Sequence, residues 1–427
     1  MADFKPKKIV IVGGSLAGLF TAIVLQRLGH NITILERTPS SDLQDQGAGI
    51  SLYIIIPPVR DSLEKLGTSG SPAADFLELY DRTKTQTVVS DTMQFLNRDG
   101  SVKRVLQREG VTGKMASWDL LYNILRANFD GGYEAGYIDG VEKLAGDGTA
   151  MYLSGVHVTG LHDVGDEVRV EYESKDGKGS MEADIVIGAD GPNSTIRKLL
   201  LPEAERTYAG YVAWRGTVKE SLLLEETKAF LGTKGIMFLA KGQQALCYLI
   251  PGLNGSLVPG DRSANVVWYT NADEEELKKI LTDSAGITHT WSLGIGKIDQ
   301  SVKEEQQGKA PLLLPPPLAE VFQKIESPFI QAVTDSLATK AVFMNGKVLL
   351  VGDAIGGLRP HTTAGCSQGA MNALLLKRVF EKDGGMSVEE WGKQVVGWAT
   401  LAHKIGVQMG NLSQFGDHPM ADNGPEK

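Results

Sequence analysis

The chain has 427 residues, 42% of them hydrophobic and 7% aromatic, which is ordinary globular usage and enough length for two domains with sizeable cores. A formal net charge of −9 removes the electrostatic basis for binding nucleic acid. Only Cys247 and Cys366 are present, too few for a secreted disulfide scaffold or a spaced metal site, and no apolar run reaches bilayer length, so the expectation is a cytoplasmic protein with no metal and no integral membrane contact.

Ile9 to Val12 are continuously apolar, as in a strand buried within a parallel sheet, and run into a turn made of Gly13, Gly14, Ser15, Leu16, Ala17 and Gly18. A residue without Cβ lets the chain turn tightly at Gly13, and Gly18 lets the following helix pack close to the strand. A helix is predicted over Leu19 to Leu28, ended by Gly29, then a strand over Asn31 to Leu35. Glu36 and Arg37 stand at its end, about twenty residues past the glycines, where a carboxylate accepts the hydroxyls of an unphosphorylated ribose. Ser15 replaces the middle glycine of the usual fingerprint; the strand, helix, second strand and acid together predict dinucleotide binding, with the dinucleotide left open.

Two later segments repeat the strand-to-turn pattern that presents backbone N–H groups to phosphate: ADIVIGADGPNSTIRKLL, with Asp190 and Gly191 at its turn, and GKVLLVGDAIGGLRPHTTAGCSQGAMNALL, with Gly352 and Asp353. Between them, from Arg206 to Val302, the short β-branched and aromatic runs GYVAWRGTV, GIMFLA, ALCYLI and NVVWYT, separated by Gly, Asn and Asp, predict an antiparallel sheet. PLLLPPPLAEVF from Pro311 is expected to close that domain, since three consecutive prolines cannot continue a strand or enter a helix interior. From Ser387 onward apolar residues recur at helical spacing and predict a packed C-terminal helix, followed by a loosely docked tail.

GGSLAGL, GADGPNSTIR and VGDAIGGLRPHTTAG resemble the three signature regions of the single-component flavin-dependent aromatic hydroxylases, which use FAD and NADH or NADPH. LRPHTTAG at Leu358 to Gly365, YAGYVAWRG at Tyr208 to Gly216 and SWDLLYNIL from Ser117 are similar to the dihydroxypyridine hydroxylase branch of that group. The resemblance implies that Asp190 and Gly191 serve FAD and nicotinamide coenzyme binding, that Gly352 and Asp353 hold the ribityl or ribose part of FAD, and that Pro360 and Gly365 line the isoalloxazine ring. It also places Gly49 and Ile50, in the small-residue stretch Gly47 to Ile50, beside a mobile flavin, with Tyr53 following. Ile355 stands where many members have His, Asn372 where they have an acid, and Ser117 where they have Arg; the Ile355 and Ser117 departures fit the dihydroxypyridine branch.

The expected fold is α/β, α+β overall: a Rossmann-like FAD domain over 1–75, 101–205 and 330–385, a substrate domain with an antiparallel β-sheet over 76–100 and 206–329, and a C-terminal helical tail over 386–427. The implied reaction is hydroxylation of a small, electron-rich aromatic or heteroaromatic ring by O2 through a flavin C4a-hydroperoxide. Such a ring gains nucleophilicity on losing a proton, so a base or hydrogen-bond acceptor is expected at its hydroxyl. His361 and Pro360 in the flavin loop are candidates for the catalytic neighbourhood, with Tyr211, whose strand alternation puts Tyr211 and Ala213 on one face and Val212 and Trp214 on the other. Tyr53, Tyr211, Arg215 and Tyr248 are candidate substrate contacts, with core packing the alternative for the tyrosines and surface pairing, the commoner fate of such an arginine, the alternative for Arg215. An epoxidase or oxidase of a secondary metabolite, and a non-catalytic FAD-binding redox or interaction protein, remain alternatives. A homodimer is the expectation by resemblance.

Overall fold

The structure is a computed structural model that describes residues 5–39, 43, 48–84, 86–107, 113–130 and 137–421. Its first layer is a six-stranded sheet in the order Val342–Phe343, Val348–Leu350, Ile185–Gly188, Lys8–Val12, Asn31–Glu36, Ala150–Ser154. All neighbours are parallel except the edge pair Val342–Phe343 with Val348–Leu350. The strands that open the three motif segments are therefore adjacent, and the pairs Val12↔Gly188 and Gly188↔Leu350 align their carboxyl ends, where open α/β sheets bind ligands. Near-continuous Ile, Val and Leu runs form the central strands because the layers packed on them, helices such as Leu16–Arg27 and a three-stranded sheet over residues 157–183, bury every position but Lys8. Phe20 of helix Leu16–Arg27 and Phe76 of helix Pro72–Tyr80 meet edge-on at 4.6 Å in this core.

The second layer is a nine-stranded sheet built around Thr207–Lys219, with Ser263–Asn271, Gln243–Ile250 and Lys234–Ala240 antiparallel on one side and Phe329–Leu337 on the other. One face carries Val212, Trp214, Trp268 and Cys247 and is covered by helices Gln300–Leu313 and Pro316–Gln323, where Trp268 meets Phe322 edge-on at 5.0 Å. The other face carries Tyr211, Ala213, Val267 and Tyr269 and looks toward the flavin-loop segments. Pairing register makes the two faces strictly alternate, as period-two strands must.

The mixed fold agrees with the sequence expectation, but several boundaries move. Val102–Gln107 pairs with Thr92–Leu96 at the edge of the large sheet rather than joining the FAD domain at 101. Phe329–Leu337 also belongs to that sheet, so the stretch beginning at 330 is not purely cofactor domain. Conversely, residues 76–80 are the end of a helix whose Phe76 lies in the first core. The proline stretch does not end the sheet: Pro311 sits inside one helix, Pro316 and Pro317 form the first turn of the next, where missing N–H groups cost nothing, and the chain then returns as a strand. The expected helix from Leu19 begins a turn earlier, at Leu16. Helix Val388–Gln414 buries Trp391, Val395, Trp398, Ala399 and Ala402 and is integral to the fold. Among the described residues no helix is long and apolar enough to cross a membrane.

Candidate active site

Three turns converge at the amino end of helix Leu16–Arg27. A Cβ at Gly13 would overlap the backbone of Ala189 and Asp190, and one at Gly352 would overlap Ala17, so each glycine is the condition for its turn to approach the others. Ser15 caps the helix with its backbone and gives no side-chain cap, which leaves the N–H groups of the first turn, Leu16 to Gly18, aimed at whatever lies in front. Glu36 reaches back beside this turn: its Oε2 accepts from Gly14 N–H at 2.7 Å and its Oε1 from Thr38 N–H at 2.8 Å. Arg37 is exposed next to it.

The Asp190 carboxylate is engaged within its own motif. Its carboxylate accepts from the Ser194 hydroxyl, from Thr195 N–H at 2.6 Å and from Ile196 N–H at 3.1 Å, capping the short helix that follows. Gly191, at φ +77°, makes the turn possible. Arg197, fully buried on that helix, donates to the carbonyls of Asp353 at 3.3 Å and Ala354 at 2.9 Å and so straps the middle motif to the last.

Asp353 is half-buried, and among the described residues no donor hydrogen-bonds its carboxylate. Burial pushes its acid up to about 6, against the opposing charges of Arg206 and Arg197. Arg206, itself lowered to about 10 by burial, donates to Thr334 Oγ1 at 2.8 Å and lies over the Trp291 ring at 4.7 Å. Asn372, at the place of the family's acid, instead accepts from Gly352 N–H at 2.8 Å and steadies the turn without adding charge. Ile355 is fully buried.

The flavin loop is a tight turn over Pro360–Thr362 followed by Thr363 at φ +55° and by helix Gly365–Phe380, which has no side-chain cap on its first turn. Gly365 faces Asp353, whose Oδ1 is 3.9 Å from the position of a Cβ there. Tyr53 lies behind the loop: its carbonyl accepts from the Thr363 hydroxyl at 3.2 Å and its phenol from Arg60 at 2.8 Å. Ser117, where the family often has Arg, accepts from Leu120 N–H at 3.0 Å and caps its helix. Gly49 N–H donates to Asn265 Oδ1 at 2.8 Å, and a Cβ at Gly49 would overlap both Asn265 and the Tyr248 phenol, so the large sheet grips this segment directly, with Ile50 half-buried beside it. Gly47 lies outside the described residues.

On the inward face of the large sheet, Tyr211 Oη and His361 Nε2 are 2.8 Å apart and His361 Nδ1 is 3.1 Å from Gln244 Oε1. All three side chains are buried. Tyr269 packs on His361 with ring centroids 4.9 Å apart, and Arg359 lies 5.6 Å over the Tyr211 ring while pairing in bidentate fashion with Asp335. Burial together with the Arg359 charge holds His361 down to about 3, so the imidazole is neutral, and burial raises the Tyr211 acid. Arg215 is on the same face and donates to Gln331 Oε1 at 2.9 Å. Pro360 opens the turn that delivers His361.

A cavity of about 410 Å³ lies on the opposite, helix-covered face of the sheet, lined by Lys241, Gln243, Lys279, Glu305 and Gln306 among others. It is remote from the motif turns, and its tryptophans are sealed, Trp268 at 0% and Trp214 at 2% exposure, so it offers no aromatic floor. No cluster of metal-binding side chains occurs among the described residues.

Gln244, Asn265 and Arg206 were not singled out in the sequence. Alternation along ALCYLI would have put Gln244 on the Tyr248 face, but only cross-strand register shows that this face meets His361.

A family described as FAD binding domain-like matches residues 208–335, the central part of the large sheet rather than the glycine turns. The chain is 28% identical over 392 residues to 2,6-dihydroxypyridine 3-monooxygenase of Paenarthrobacter nicotinovorans, covering 90% of this chain and 86% of that protein. It is 26% identical over 400 residues to a salicylate hydroxylase of Pseudomonas putida, covering 89% and 79%. Among solved structures, 2,6-dihydroxypyridine-3-hydroxylase from Arthrobacter nicotinovorans superposes with a TM-score of 0.76 at 26% identity, covering 100% of this chain and 98% of that one. Over nearly its whole length the chain is thus similar to FAD-dependent aromatic hydroxylases, and with the three convergent turns these likenesses support an aromatic monooxygenase. Within that group it is similar to the dihydroxypyridine hydroxylase branch.

Proposed function

We propose that the protein uses NADH or NADPH and O2 to hydroxylate an electron-rich aromatic or heteroaromatic ring of hydroxypyridine or phenol type. One observation carries most weight: a neutral, buried tyrosine–histidine–glutamine chain on the sheet face that looks at the flavin loop. It offers a ring hydroxyl an acceptor without putting a free charge in an apolar site.

The residues fit FAD. The first turn of helix Leu16–Arg27 takes the pyrophosphate, and Glu36 takes the adenosine ribose by exchanging its hold on a backbone N–H for a hydroxyl. Asp353, with no donor on its carboxylate among the described residues, would accept from the ribityl side, and the uncapped turn at Gly365 would lie toward the ring system. Bound FAD, reduced by the nicotinamide coenzyme, supplies the activation of O2. The chain's own work is to exclude water, hold the ring through the Tyr211, Tyr269 and Tyr248 face, and accept a hydrogen bond at Tyr211 Oη. Arg215 extends that face toward a substrate carboxylate. Two free cysteines suit a reducing cytoplasm.

Anaerobic stopped-flow absorbance tests this reading. Flavin bleaching by NADH or NADPH should accelerate when one of a panel of hydroxypyridines and phenols is present, with hydroxylated product forming once O2 is admitted. A bound flavin that neither coenzyme reduces would favour an oxidase or a non-catalytic flavoprotein.

A further inference from the structure

We propose that Gln244 is a positioning residue that sets the direction of the Tyr211–His361 hydrogen-bond chain, so that Tyr211 meets the substrate as an acceptor. This rests on the hydroxylase reading only in placing the ring hydroxyl at Tyr211.

The direction follows from which groups can give and which can take. Gln244 Oε1 can only accept, and it lies 3.1 Å from His361 Nδ1, while Arg359, beside the Tyr211 ring, gives its hydrogen bonds to Asp335 and Asn411. Nδ1 therefore carries the ring hydrogen, Nε2 is the bare nitrogen, and the Tyr211 proton goes to His361 Nε2 at 2.8 Å. The amide is turned this way because its nitrogen lies 4.0 Å from the Met237 sulfur, a weak acceptor that suits a donor. Every hydrogen bond now points from Tyr211 toward Gln244, and the remaining lone-pair direction of Tyr211 is offered to a ring O–H. With the amide reversed, His361 would donate to Tyr211 and Tyr211 would present its proton to the ring, stabilising the wrong end of the hydroxyl.

The charges around His361 come from several elements. Arg359 stands on its own turn, Asp335 on strand Phe329–Leu337 neutralises that guanidinium, and His403 on the long helix lies 3.6 Å from Asp335. Tyr211 and Tyr269 face it from the sheet. Among the described residues no anion touches the imidazole directly, so it stays a neutral relay; a carboxylate at Gln244's place would change that.

Three variants are read with FAD content and melting temperature as controls. Gln244→Leu removes the acceptor and should leave FAD bound while lowering kcat at least about tenfold, more than it raises KM. Gln244→Glu is isosteric and anionic; it should favour the imidazolium, which cannot accept from Tyr211, and bring an acid limb into the pH–rate profile between about pH 5 and 7 where wild type is flat. Gln244→Met serves if the leucine variant does not fold. Independently of turnover, nitrogen-15 spectra of histidine-labelled protein should show His361 as the Nδ1–H tautomer in wild type and as a tautomer mixture in Gln244→Leu. An Nε2–H His361 in wild type, or a leucine variant with wild-type ring-nitrogen shifts or turnover within about twofold, overturns the proposal. A wild-type protein that hydroxylates nothing overturns the functional reading, while the nitrogen spectra still decide the role of Gln244.

Discussion

Asp353 shows how one side chain can record an absent partner. A carboxylate pushed up to about 6, with cations nearby and, among the described residues, no donor on its oxygens, is stabilised by any ligand that brings hydroxyls. Hydrogen bonds from FAD favour the ionised form, so bound Asp353 titrates lower than free Asp353. Affinity for FAD is therefore level above about pH 6 and falls below it, by up to about tenfold per pH unit. Fluorescence titration of flavin-free protein with FAD across pH 5 to 8 measures this, and Asp353→Asn should flatten the profile and Asp353→Ala strip the flavin. The same raised acid means that the folded flavin-free protein binds its proton more tightly than the unfolded chain, so its stability declines as pH rises through about 6. Tyr211→Phe separates packing from chemistry: the ring stays, the hydroxyl goes, and turnover should fall about a hundredfold with FAD binding kept. Asp353 was legible from its motif and Tyr211 from strand alternation. Asn265 and Arg206 were not, because each acts on a segment far off in sequence that only strand register and inter-layer packing bring near.

At the scale of elements, helix Val388–Gln414 carries two glycines with opposite meanings. A Cβ at Gly410 would overlap Tyr211 Oη and come within 2.9 Å of Arg359 Nη1 and 3.1 Å of His361 Nε2, whereas one at Gly397 meets nothing. Alanine is the better helix former by about 1 kcal/mol, so Gly397→Ala should raise stability by about 0.5–1 kcal/mol. Gly410→Ala should lower it by about 1–3 kcal/mol despite the same propensity gain, because a methyl group forced into packed polar side chains must displace them. Denaturant melts measure both, and only Gly410→Ala should also reduce turnover. The sequence announced this helix by its apolar spacing but could not say that a glycine near its end makes room for the site. The proline stretch was misread for a related reason: prolines stop a helix interior yet suit a first turn, and nothing local distinguishes the two.

For the whole molecule, the decisive question is whether the two sheets are independent domains. A division at residues 205 and 330 makes them so, but the chain crosses between them too often for that. Strand Phe329–Leu337 pairs in the large sheet with Thr207–Lys219 and also with Gly356–Gly357 of the cofactor segment. Arg359 of the flavin loop is clamped to Asp335 of that strand and to Asn411 of the long helix. That helix buries its tryptophans in the first core, and its Gln414 carbonyl accepts from Asn271 of the large sheet. Breaking either layer leaves buried polar groups of the other unpaired, each costing about 1–3 kcal/mol, and that coupling favours one transition over two. Scanning calorimetry of flavin-free protein should therefore give a single peak whose van't Hoff and calorimetric enthalpies agree. FAD at about a thousand times its dissociation constant should raise the unfolding free energy by about 4 kcal/mol and move that peak upward as one. Deleting residues 387–427 should abolish both FAD retention and the cooperative peak, because the helix joins the layers. Two resolved transitions, with only one moved by FAD, would show instead that the sheets fold separately and that the cofactor belongs to the parallel layer alone.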